Sequence, residues 1–289
     1  MSTTCHACAI DAYSTAIASI AYDTDYAITE CRTVRVGIGD FSGPNGDRAA
    51  QRIASLFRKQ KIENLALSIQ TPRFFPLDTA SSRNISNESF DTHCRAEASF
   101  LLNKPGEYMH EHIPYTARVE EEPVRKHLLF YYPSNVLEEV CRKLRAFYPI
   151  SNRSHYLKPM ILSIAATCKP FILLELEHEY LTFSAGSNGE LEYFNFWQLS
   201  HGSDAEYFAL RELASNQKHR NYPVYITGNL AADKSLSARI SNAAGTSFHP
   251  FSLVELFAMQ RNVRSSCNSP VELKALSAAL VNLYEQHPS

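Results

Sequence analysis

The chain has 289 residues, 45% of them hydrophobic and 20% charged, with a formal net charge of −2. This is the composition of a folded globular protein large enough for two cores, and it excludes a disordered chain. The slightly negative balance offers no basic footprint for a phosphate backbone, so nucleic acid is not an expected partner.

Apolar runs such as Met160–Ala166 fall far short of the roughly 20 residues that cross a bilayer, so no transmembrane segment is expected. The start of the chain lacks a signal peptide's basic end and apolar run, which predicts a cytoplasmic protein. The seven cysteines are odd in number and scattered, as suits free thiols in a reducing compartment. Cys5 and Cys8 form a CxxC that leads into a strand instead of opening a helix, and no second CxxC completes a zinc site, so neither metal nor redox chemistry is expected there.

In chain order, Ala7–Asp11, Thr15–Tyr22 and Tyr26–Val36 read as strands, Asp47–Lys59 as a helix and Asn64–Gln70 as a returning strand. Between them Gly37, Gly39 and Gly43 mimic a dinucleotide fingerprint. Ser42 occupies the third glycine position and no acidic residue ends the next strand, so the segment is read as a turn. From Thr71 to about Asn152 comes extra material. It begins with a link containing Pro72, Phe74, Phe75 and Pro76, a polar loop at Ser81–Ser89 and a helix near Phe90–Leu102. Two strands follow at Glu107–Val119 and Arg125–Tyr132. On the first, His110 and His112 share a face, with no third metal ligand apparent.

The clearest helix is Asn135–Phe147, with Ser134 as N-cap and Val136, Leu137, Val140, Cys141, Leu144 and Phe147 on one face. That stripe is predicted to pack on the two strands before it. Pro159–Cys168 reads as a linking helix. The opening plan then returns: strands Phe171–Leu176, Tyr180–Ala185 and Glu190–Trp197, a helix at Asp204–Gln217, and a strand at Pro223–Thr227 stopped by Gly228 and Asn229. Asn188-Gly189 between the second and third strands is a strong hairpin signal. One plan used twice predicts two related α/β lobes facing a cleft, 1–168 with an insertion at about 72–152, and 169–289.

The plan resembles the actin-like ATPase superfamily, whose lobes are ribonuclease H-like. The inserted α+β subdomain makes it most similar to the branch holding the PilM-type pilus-assembly proteins and the cytoplasmic part of GspL-type secretion proteins. Asp11-Ala12-Tyr13-Ser14-Thr15 looks like the first phosphate loop, Glu175-Leu176-Glu177 like the second, and Thr227-Gly228-Asn229 like the adenosine motif. The resemblance therefore implies a nucleotide-binding remnant of Asp11, Ser14, Thr15, Glu175, Thr227, Gly228 and Asn229.

The departures point away from hydrolysis. Tyr13 and Glu177 stand where the family has glycine, and a phosphate loop needs bare backbone there. Tyr13 is expected to fill the phosphate space and Glu177 to set a negative charge toward it. No catalytic residue, metal or cofactor is expected, at most weak ATP with Mg²⁺. The resemblance then implies a pseudo-ATPase scaffold of a pilus or type II secretion-like assembly, compatible with a homodimer, peripheral at the inner face of the inner membrane. It would bind the cytoplasmic segment of an inner-membrane protein, with Phe74, Phe75, Tyr108 and Tyr115 as anchors and Tyr131 and Tyr132 as further aromatic candidates. The alternative is an active ATPase or sugar-type kinase using Asp11 and Glu175.

Overall fold

The computed structural model describes residues 3–57, 62–71, 73–115, 124–263 and 265–286. Lys59, Pro72 and the 116–119 end of an expected strand lie outside the described residues. The chain divides into two compact units, Met1–Ser163 with Leu253–Ser289, and Ile164–Ser252.

In the first unit, β1 (Thr3–Ile10), β2 (Thr15–Tyr22) and β3 (Tyr26–Val34) form an antiparallel meander, followed by α1 (Gly46–Ala54) and β4 (Leu65–Ile69). An insertion supplies β5 (Phe75–Ser82), α2 (Asn87–Leu101), β6 (Tyr108–Pro114) and β7 (Val124–Pro133). The unit then continues with α3 (Ser134–Leu144), β8 (Ile150–His155) and α4 (Leu157–Ala165). The second unit has β9 (Phe171–Leu176), β10 (Tyr180–Ser187), β11 (Glu190–Gln198), α5 (Asp204–Ser215), β12 (Val224–Thr227), α6 (Lys234–Ala244) and β13 (Phe248–Pro250). The chain ends back in the first unit with α7 (Leu253–Leu256), β14 (Gln260–Arg261) and α8 (Pro270–Gln286).

The two principal sheets share one topology. The first runs β14-β3-β2-β1-β4-β8 and the second β11-β10-β9-β12-β13. In each, a three-stranded antiparallel meander places its first strand beside a parallel strand, and a second parallel strand follows: β1 with β4 and β8, β9 with β12 and β13. Asn188 and Gly189 carry the positive φ angles of 53° and 85° that close the β10–β11 hairpin, as an Asn-Gly turn requires.

The C-terminal segment corrects the expected boundary of 169–289. Helix α8 packs on β1, β2 and β4, burying Val271, Leu273, Ala275, Leu276, Ala279, Leu280 and Leu283. β14 adds to the β3 edge, and Glu272 accepts from Thr33 Oγ1 at 3.2 Å. The meander offers Ala7, Ala9, Ala16 and Ala18, all buried, whose small side chains let a helix lie close. The partnership joins residues more than two hundred positions apart, so no local pattern announces it.

The insertion is a three-stranded antiparallel sheet, β5-β7-β6, with α2 across one face. Phe90, Cys94 and Ala98 of α2 meet Leu129 and Tyr131 of β7, with Leu77 and Tyr108 at the margin. The helix on this sheet is α2, not α3 as expected. The stripe of α3, with Leu137, Val140 and Leu144 buried, is spent mainly against α1 and the turn before it, where Lys143 Nζ donates to Asp47 Oδ1 at 2.8 Å. Ser134 does not cap α3; its hydroxyl donates to the Glu107 carbonyl. Period-2 alternation turns Phe130, Tyr132 and Glu111 to the opposite side, where they meet His155 at the end of β8.

Glu111 is the polar tie of that junction. Its Oε1 accepts from the Tyr132 hydroxyl and from the His155 backbone N–H at 3.0 Å, while its Oε2 is buried without a hydrogen bond. Burial pushes its carboxyl up to about 7, against the pull of Lys158 and Arg153. A raised carboxyl favours the folded state at low pH and loses that contribution as pH rises from the ordinary carboxylate range through about 7. Glu111→Gln, which keeps the acceptor, should therefore raise the urea midpoint at alkaline pH, by on the order of 1–3 kcal/mol, and give no gain in mild acid. An equal shift at both pH values would show that this carboxyl does not titrate there. Leu144→Ala should cost about 2–5 kcal/mol in a denaturant titration, because Leu144 is fully buried.

Candidate functional site

Each meander begins with a hairpin whose turn opens on a carboxylate. In the first, Asp11 follows β1 and is 4% exposed. Its backbone N–H donates to the Ser14 carbonyl at 2.9 Å, closing the turn. Its Oδ1 accepts from the Tyr13 N–H at 2.8 Å and the Ser14 N–H at 2.7 Å, and the Ser14 hydroxyl lies 3.2 Å from both carboxylate oxygens. The turn thus folds its own N–H groups around its own acid. Thr15 is buried with its hydroxyl on the Val36 carbonyl at 2.6 Å, a structural bond across the meander. Gly37 packs so closely on the turn that a Cβ there would collide with the Ala12 carbonyl.

Tyr13, expected to fill the space before this loop, is 71% exposed. The N–H groups of Tyr13 and Ser14 are both taken by Asp11.

In the second unit the equivalent turn lies two residues later than expected. The Glu177 N–H donates to the Tyr180 carbonyl at 3.0 Å, the same closure that Asp11 makes with Ser14. Glu177, not Glu175, is therefore the counterpart of Asp11. Glu175 lies within β9, opposite Thr227 of β12, almost fully buried and 3.4 Å from the Thr182 hydroxyl. Glu177 is also buried, and its Oε2 accepts from the Asn229 side-chain amide at 2.6 Å and the Asn229 N–H at 3.3 Å. Of the expected adenosine motif, Asn229 bonds Glu177, Gly228 lies against Leu176 and Thr227 pairs with Glu175 in the sheet. Gly228 has φ of 96° and lies against the Leu176 carbonyl, where a Cβ would collide.

One cation near the first loop escaped the sequence reading. Lys274 of α8 is buried, with Nζ donating to Gln70 Oε1 at 2.5 Å and lying 4.4 Å from the Tyr156 ring centre. Gln70 in turn donates its N–H to the Ile10 carbonyl beside Asp11. Only the return of the C-terminal helix brings this lysine near, so no motif around Asp11 could have signalled it.

The expected aromatic anchors divide by burial. Phe74 is 6% exposed and packs its ring 4.6 Å from that of His155; Tyr115 is 7% exposed and donates its hydroxyl to Asp78 at 2.7 Å. Tyr131 and Tyr132 are core. Phe75 is 45% exposed and faces Tyr108 at 5.9 Å between ring centres. Tyr108 also lines a groove of about 590 Å³ between α2 and β6, with Asp91, Arg95, Pro105 and His110. Asp91 holds both Arg95, at 2.7 Å, and His110, at 3.0 Å. Among the described residues no helix is long and apolar enough to cross a membrane.

No family model and no curated protein matches the chain. Solved structures do. A chain of the PilM-PilN type IV pilus biogenesis complex aligns with 96% of this chain and 98% of its own length, at a TM-score of 0.76 and 13% identity. The cytoplasmic domain of EpsL, an inner membrane component of the type II secretion system of Vibrio cholerae, aligns over 96% and 94%, at 0.50 and 7%. A Bacteroides thetaiotaomicron protein with an actin-like ATPase fold aligns over 94% of both chains, at 0.50 and 10%. Agreement along nearly the whole chain, together with the topology repeated in both units, shows that this protein has the actin-like ATPase fold, as these pilus and secretion proteins do.

Proposed function

We propose that the protein is a non-catalytic actin-like scaffold of a bacterial type IV pilus or type II secretion-like assembly, holding the cytoplasmic segment of an inner-membrane partner. The observation that carries the loss of catalysis is the internal use of both turns. A phosphate group is held by backbone N–H groups converging on its oxygens. Here those of Tyr13 and Ser14 converge on Asp11, and that of Asn229 on Glu177. To admit a phosphate, each turn would have to give up a charge-assisted bond and expose a buried carboxylate to a like-charged ligand, at a cost of several kcal/mol. Mg²⁺-ATP is therefore expected to give no heat of binding in calorimetry at micromolar concentrations and no phosphate release above background. Micromolar binding that Asp11→Ala abolishes would reverse the reading in favour of an enzyme.

The partner-binding reading is supported by the exposed face of the insertion. Phe75 and Tyr108 present adjoining rings beside a groove whose polar lining is already ordered by Asp91, and aromatic side chains beside a cleft are where binding energy concentrates. The likeness to a chain of a PilM-PilN complex and to an inner-membrane-associated secretion protein favours a membrane protein's cytoplasmic segment as the occupant. Fluorescence anisotropy with labelled cytoplasmic segments of membrane proteins encoded beside its gene should find one that binds. Phe75→Ala should weaken it by about 1–3 kcal/mol with an unchanged melting temperature, Tyr108→Ala should weaken it by about as much with some loss of melting temperature because its ring also packs at the margin of the insertion's core, and Phe74→Ala should act on melting. Equal affinity in both surface variants would remove this face from consideration.

A further inference from the structure

The seam between α2 and the inserted sheet carries four histidines from three elements. His93 lies on α2, His110 and His112 on β6, and His127 on β7. Three of them gather about Phe90 of α2, whose ring centre is 4.7 Å from that of His112, 4.5 Å from His127 and 6.3 Å from His93, while His110 lies 6.1 Å from Tyr131. His112 and His127 lie 5.3 Å apart, centre to centre. The rings are satisfied unequally. His93 Nε2 is 3.1 Å from the Thr79 hydroxyl and 3.5 Å from Glu97, His127 Nε2 is 2.9 Å from the Ser81 hydroxyl, and His110 Nε2 is 3.0 Å from Asp91. His127 Nδ1 is buried without a partner, and His112 makes no hydrogen bond among the described residues.

These contacts do not make a metal centre: among the described residues no three His, Cys, Asp or Glu side chains are placed to hold an ion. They make a seam that tolerates neutral imidazoles and little else. A proton on His112 or His127 would sit against the Phe90 ring and the other imidazole, with no carboxylate bonded to either. The charged groups around them are Asp91, Arg95 and Glu97 of α2, Arg125 of β7 and Lys158 of α4. Glu97 is engaged through Oε1 by Thr79 and His93, its buried Oε2 making no hydrogen bond among the described residues, and Asp91 is engaged by Arg95 and His110; neither acid is bonded to His112 or His127 there. Desolvation holds His110 and His127 below the ordinary histidine range and His112 down to about 4, with Lys158 and Arg125 adding to the effect on His112.

We infer that α2 is a proton-sensitive latch on the inserted sheet: protonation of His112 and His127, packed on Phe90 and on each other, releases the helix locally while the rest of the molecule stays folded. The sign follows from proton uptake. The closed seam binds these protons more weakly than the opened one, so its stability is complete above about pH 6.5 and falls as pH drops from there toward about 4. The α2–β6 groove shares Asp91, His110 and Tyr131 with the seam, so release would reshape the groove. That consequence for docking rests on the partner reading above; the latch itself does not.

Hydrogen exchange on the free protein tests the latch without any partner. After correction for intrinsic rates, α2 amides should lose protection by roughly tenfold for each of His112 and His127 as they charge, between about pH 7.5 and about 5.5. The amides of β9, β10 and β12 should hold theirs and serve as the internal reference. In His112→Asn the fall should shrink by about that factor, and in His112→Asn with His127→Gln it should shrink further. Unchanged α2 protection in the natural protein, a parallel loss in the second unit, or an undiminished fall in the His112→Asn variant would each overturn the inference. If the double variant does not fold, the natural protein and the single substitution at the partly buried His112 decide the matter alone.

Discussion

A buried carboxylate must be satisfied where it sits, and at the two hairpin ends of this protein the polypeptide does so with its own donors. Asp11 takes the N–H groups of Tyr13 and Ser14, and Glu177 takes both donors of Asn229. The same geometry that would hold an incoming anion is completed by a resident one. Neither turn contains glycine: the first runs Asp11-Ala12-Tyr13-Ser14 and the second Glu177-His178-Glu179-Tyr180. Where close approach survives, at Gly37 against Ala12 and Gly228 against Leu176, it brings protein backbone onto protein backbone. Both turns close the meander with hydrogen bonds drawn from within the protein.

The insertion divides its two faces by chemistry. Toward the body, Phe130 and Tyr132 converge on His155, which burial keeps neutral by pushing it down to about 3, and Glu111 ties β6 to the end of β8. The opposite face is half apolar and half imidazole, covered by a single helix. Around Cys94 and Ala98 the seam is an ordinary hydrophobic contact; around Phe90 it relies on imidazoles whose charge state depends on the solvent. A small sheet with one helix has little core to spare, so its marginal contacts carry more of its stability than they would in the main body.

Much of this was readable from local pattern. Alternation located β2 and β9 at their observed limits, and Asn188-Gly189 located the hairpin between β10 and β11. The repeat of meander, helix and parallel strand was visible because each element is short and bounded by turn residues, and it was enough to foresee the actin-like fold. β5 and β8 were not visible. Phe75–Ser82 begins among prolines and ends among serines, and Ile150–His155 is mostly polar; both become strands because a neighbour offers them a ladder.

The sequence by itself determined which residues could form each hairpin, which positions in the turns bear side chains, and that two like lobes would follow one another. Tertiary structure alone decided the rest. It chose Glu177 over Glu175 as the partner position of Asp11, because equivalence is set by which N–H closes the turn and not by spacing along the chain. It sent α8 back to the first sheet and with it Lys274 to Gln70, and it placed α2 instead of α3 on the insertion. In each case several amphipathic surfaces of similar character compete for one partner. Periodicity says that a face will be buried; only shape and burial over the whole molecule say against what.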